Sequence, residues 1–168
     1  MHPFSDDAPV EQRSVRRLAD LGPFAQHVIW LVRRWLDGDG GRRDVWSDLS
    51  QRLGPRRARS AMVACDAFLT ALTAHPARTL YRHSTGGADI GADELTVTRL
   101  VAAAGSDRLD LAYAEASALA RPEQVGVLMQ NAAELGRALA PLAARIRGSA
   151  APAEAPVGAD AATPRMLH

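Results

Sequence analysis

The densest set of side chains able to do chemistry lies in one short stretch, YRHSTGGADIGADE, residues 81–94. It holds Arg82, His83, Asp89, Asp93 and Glu94, with His75 a few residues upstream. A histidine with two or three carboxylates has the donor types of a metal site or of an acid–base pair. Gly86, Gly87 and Gly91 let backbone N–H groups approach a ligand, and the helix start that follows favours an anion. These five residues are the candidate ligand-binding set, on loop 82–94. The same residues also have a purely local use. Glycine permits the turn, Asp89 and Asp93 bond nearby backbone, and Glu94 suits the first turn of a helix.

A second candidate is the arginine-rich corner GRRDVWSDLSQRLGPRRARSAM. Arg42, Arg43, Arg52, Arg56, Arg57 and Arg59 surround a Gly-Pro turn between two helical patterns. A helix-turn-helix has such a turn and needs cations beside it for phosphate. Residues that read bases are nearly absent at the start of the second helix, and Asp44 and Asp48 offset part of the charge. A solvated helical corner is therefore favoured over nucleic-acid binding. The run from Asp37 to Asp48 resembles a calcium loop at three positions, but Gly41 and Arg42 occupy places that need an oxygen ligand and a glycine. Cys65 is the only cysteine, which excludes an intramolecular disulfide and a cysteine-cluster zinc site. It falls on an apolar stripe, where a thiol is inert. His27 lies within an apolar helix and reads as a packed or boundary residue. No phosphate-binding glycine motif is present. No metal and no cofactor is expected.

The elements that must position these residues are helical. The chain has 168 residues, 47% of them hydrophobic but only 5% aromatic, and alanine supplies much of the apolar content. That composition favours helices over a sandwich or barrel. All 20 basic residues are arginine, and the net charge is +1, so bulk charge points to neither nucleic acid nor membrane. The part through Thr85 nets +4, thirteen arginines against nine acids, and the remainder nets −3. The longest strongly apolar run, Val28–Val32, is far too short to span a bilayer, and the acidic start is not a secretory signal.

Apolar spacing of three and four predicts successive helices. One starts at Asp6 or Asp7 and ends before Gly22-Pro23. The next carries Phe24, Val28, Ile29, Leu31, Val32, Trp35 and Leu36, a stripe wide enough to bury the helix. Arg42–Leu53 places Val45, Trp46, Leu49 and Leu53 inward. Pro55–Ala74 does the same with Ala58, Met62, Cys65, Phe68, Leu69 and Leu72. After the 82–94 loop, a helix starting at Ala92 or Asp93 turns Leu95, Leu100 and Val101 inward. Another has Leu109, Leu111, Ala114, Ala118 and Leu119 inward. The longest runs from Pro122 past Leu142, with a bend expected at Pro141.

The expected fold is all-α. Six or seven helices form a bundle-like single domain over residues 7–147, with the long C-terminal helix as spine. Residues 148–168, rich in Ala and Pro, are expected to be a disordered tail. The expected function is that of a small cytoplasmic interaction or regulatory module, which presents helical surfaces to another protein or to itself and does not catalyse a reaction. The alternatives are a ligand- or metal-binding protein or enzyme that uses the 82–94 loop, and a nucleic-acid-binding regulator that uses the arginine corner.

Overall fold

Glycine and proline punctuate the chain where the sequence places them. The computed structural model describes residues 4–5 and 16–149. Pro23 occupies the first turn of α1, Pro23–Leu36, where a missing N–H costs nothing. Gly38, at φ 84°, separates α1 from α2, Asp39–Leu53. Gly54, at φ 82°, is the single residue between α2 and α3, Pro55–Ala74. Only glycine holds such a conformation without strain. After loop 82–94 come α4, Ala92–Gly105, α5, Leu109–Leu119, and α6, Val125–Ser149.

The architecture is all-α, with six helices among the described residues. Helix α6 is the spine. It packs on α3, α4, α5 and α1, and its stripe of Val125, Leu128, Ala132, Leu135, Leu139 and Leu142 is buried. The core continues through Val28, Leu31 and Val32 of α1, Val45 and Leu49 of α2, and Cys65, Phe68 and Leu72 of α3. Helix α6 continues through Pro141. Among the described residues no helix is long and apolar enough to cross a membrane.

Two short ladders join the middle of the chain to its N-terminal part. Strand β1, Phe4–Ser5, runs parallel to β3, Leu80–Tyr81, and β2, Arg16–Arg17, runs antiparallel to β4, Asp89–Ile90. These correct the expected first helix. Where it falls on described residues, Arg16–Arg17 is extended and Leu18–Asp20 is a single 3₁₀ turn. Sparse apolar positions gave that helix no face to bury, so edge pairing with β4 prevails. The remainder of the expected helix, residues 6–15, lies outside the described residues.

Three further expectations shift. Helix α2 begins at Asp39 rather than Arg42, so Gly40 and Gly41 lie within its first turn. Gly41 is buried against the backbone of Arg34, which leaves no room for a Cβ. Trp46, expected inward on α2, is 37% exposed. Helix α5 is rotated from its expected register. It buries Ala112, Ala116 and Leu119, while Ala114 and Ala118 are exposed and Leu109 and Leu111 are 64% and 45% exposed. Alanines on α5 face the alanine-rich α4, where Ala103 and Ala104 are also buried. Small residues on both sides let the helices approach closely, and that contact outweighs the burial of larger leucines. Helix α6 reaches Ser149. Residues 150–168 lie outside the described residues.

Helices α4 and α6 cross at a pair of glycines. A Cβ on Gly136 would stand 2.6 Å from the Cα of Gly105 and 2.6 Å from the carbonyl oxygen of Val101. Both obstacles are backbone and cannot rotate away. Gly136→Ala is expected to cost about 1–3 kcal/mol by overpacking, despite the better helix propensity of alanine. Urea unfolding of the variant measures this, and a stabilised variant would show that the helices can separate freely.

Candidate functional site

Helix α1 is apolar around most of its circumference, yet Arg33 lies on its buried side at 1% exposure. A charge in that position requires a partner and a full set of hydrogen bonds. Loop 82–94 and the start of α4 provide both. Arg33 Nε donates to Glu94 Oε1 at 2.6 Å, and Nη2 donates to Glu94 Oε2 at 2.9 Å and to the Asp89 carbonyl at 2.6 Å. Its Nη1 donates to the carbonyls of Gly87, at 2.8 Å, and Ser84, at 3.2 Å. The five donors of a guanidinium are thus spread over one carboxylate and three loop carbonyls. The loop is wound around this side chain.

Glu94 is the other half of the hub and is 4% exposed. Besides Arg33, it accepts the N–H of Gly91 at 3.0 Å, which caps α4. It also accepts the N–H of His83 at 3.2 Å, and the His83 ring Nδ1 lies 3.1 Å from Oε2. Asp93, 1% exposed, turns to a separate partner. It receives two hydrogen bonds from Arg78, at 2.5 and 3.0 Å, and the N–H of Tyr81 at 2.8 Å. This pairing holds the Arg78 guanidinium in its charged form, above its ordinary value. Arg82 reaches Asp37 at the end of α1, at 3.0 Å, and the Thr85 hydroxyl donates to the same carboxylate.

The structure therefore brings His83 and Glu94 together and keeps Asp93 and Asp89 apart from them. Asp89 contributes its carbonyl to Arg33, and the residue is exposed. Among the described residues no group of three His, Cys, Asp or Glu side chains could hold a metal ion. The buried polar capacity of the loop is committed to the loop's own backbone, to α1 and, through Asp93, to Arg78 and Tyr81. This arrangement can fix loop 82–94, from its irregular part to the first turn of α4, against the core. Acid–base chemistry would need a carboxylate with capacity left for a substrate, and neither Glu94 nor Asp93 is placed that way.

Arg33, Arg78 and Asp37 are the partners that sequence reasoning missed. For Arg33 a signal was available: an arginine within VIWLVRRWL, a helix wide in its apolar stripe, has to be paired. Arg78 and Asp37 carry no comparable signal, because their partners are fixed only by the path of the loop.

The arginine corner is partly self-occupied. The Arg42 guanidinium lies over the Trp35 ring at 5.0 Å, Arg43 bonds the carbonyl of Asp39 at 3.4 Å, and Arg52 pairs with Asp48 at 2.7 Å. Arg56, Arg57 and Arg59 are exposed at the start of α3. That helix is packed from its first turn, with Ala58 and Ala61 fully buried, so it does not project as a groove-reading helix would. The run from Asp37 to Asp48 is helical from Asp39 and forms no calcium loop. Cys65 is fully buried, and burial pushes its thiol well above the ordinary range. Comparison with protein-family models, with curated proteins and with solved structures finds no match.

Proposed function

We propose that the protein is a small helical interaction module whose contact surface is α5 and whose partner is a second copy of the chain. The observation that supports this is the inverted character of α5. Its buried positions are Ala112, Ala116 and Leu119, while Leu109, Leu111 and Tyr113 are 64%, 45% and 61% exposed. A helix that only covered a core would turn its large apolar residues inward. Here Leu109 and Tyr113, four residues apart, share one flank of α5, and Leu111 lies on the other. The exposed residues of this end include both signs of charge, Arg99 and Arg108 with Asp110. A two-fold contact places a surface against itself, so both signs on one patch let the charges of one copy meet their opposites on the other. Loop 82–94 is the rigid support of this module, and the arginine corner is a solvated face.

Sedimentation of the full chain at roughly 100 μM, well above the Kd of a micromolar contact, tests the proposal. The wild type is expected to be dimeric. Leu109→Glu with Tyr113→Glu is expected to be monomeric with unchanged helix content, because both residues are solvent-facing in the single chain. A monomeric wild type, or a dimer that survives the double change, would overturn it.

A further inference from the structure

We propose that the hollow between α1 and α2, where Trp30 and His27 face the Asp48–Arg52 pair, binds a small aromatic carboxylate. The hollow has a volume of about 520 Å³, within the range of small-molecule sites. Its apolar wall is made by Leu18, Pro23 and Trp30. Its polar wall contains Arg52 and His27, with Asp48 between them.

Arg52 Nε donates to Asp48 Oδ1 at 2.7 Å, which fixes the plane of the guanidinium. Its two terminal nitrogens make no hydrogen bond to a described side chain or backbone group. Two parallel N–H donors at that edge fit one carboxylate in bidentate fashion. Asp48 holds the other side of the group, so the two carboxylates do not compete for the same donors. The His27 side chain is only 10% exposed. Its Nε2 stands 3.5 Å from Asp48 Oδ2, and neither atom has a hydrogen-bond partner. Both atoms are closed to solvent, so they lie behind the wall of the hollow and present the edge of the His27 ring to Asp48. Burial, opposed by Asp48 and reinforced by Arg52, lowers the His27 pKa, which favours the neutral ring.

The aromatic requirement comes from the other wall. His27 already stacks on Trp30, with ring centroids 5.5 Å apart and planes 29° from parallel. A ligand ring that lies along this stack meets a preformed π surface beside Leu18 and Pro23. Gln26 donates one amide hydrogen to the Leu21 carbonyl at 2.7 Å, which orients its side chain at the wall of the hollow. The chemistry recognised is therefore one planar ring with one carboxylate.

Titration of the full chain with benzoate, followed by amide and side-chain NMR shifts, tests the assignment. Benzoate is expected to shift the Trp30 indole and the Arg52 Nε signals with saturation. Benzyl alcohol, which loses the charge-assisted pair, and acetate, which loses the ring, are each expected to bind at least about tenfold more weakly. Arg52→Gln, on a half-exposed side chain, is expected to keep the fold and lose benzoate binding by a similar factor. Absence of saturable shifts, shifts centred elsewhere, equal binding of benzyl alcohol, or an Arg52→Gln variant that binds as the wild type does would each overturn it.

Discussion

Glu94→Ala is expected to destabilise the fold by about 3–5 kcal/mol, the scale for removing one member of a buried ion pair. The cause is what the substitution leaves behind. Arg33 is 1% exposed and would keep its charge in the core without a counter-charge. The N–H groups of His83 and Gly91 would lose their acceptor at the same time. A paired replacement separates this effect from simple loss of packing. Arg33→Met with Glu94→Leu removes both charges, and its cost is expected to be smaller than that of Glu94→Ala alone. Chemical unfolding of the three proteins makes the comparison. A Glu94→Ala variant within about 1 kcal/mol of the wild type would mean that the loop rearranges to hydrate Arg33.

The second large effect is on α6. Leu135 is fully buried at the middle of the longest apolar stripe, between Ala132 and Leu139. Leu135→Ala is expected to cost about 2–5 kcal/mol, as transfer and cavity terms add. Gly136 beside it is pressed against Gly105, so the backbone has little freedom to collapse into the space. That places the expected value in the upper part of the range. Guanidinium unfolding reads it out, and a near-neutral result would mean that this stripe is not closed by α4.

The helical elements were legible because their signals are local. Gly22-Pro23, Gly38 and Gly54-Pro55 mark breaks by backbone conformation alone, and the stripes of α1, α3 and α6 are wide enough to fix which face is inside. Helix α5 was not legible. Periodicity ranks residues by size, and it cannot see that Ala112 and Ala116 will be the buried face of a helix packed on α4. Loop 82–94 was legible as a location and not as a structure. Its acids and histidine were found, but their partners, Arg33 and Asp37 on α1, lie some fifty residues away in sequence. Only the folded path reveals that Glu94 serves Arg33 while Asp93 serves Arg78. Likewise nothing in the sequence pattern joins His27 to Asp48, since that pair exists only because α1 and α2 are adjacent.

The most direct test of the proposed function is the mass of the 168-residue chain under native conditions. A single chain weighs 17.9 kDa. A species of twice that mass is expected, which reverts to the single-chain mass when Leu109 and Tyr113 are both changed to Glu. A native species at the single-chain mass, for the wild type at concentrations where a micromolar contact would be saturated, would contradict it.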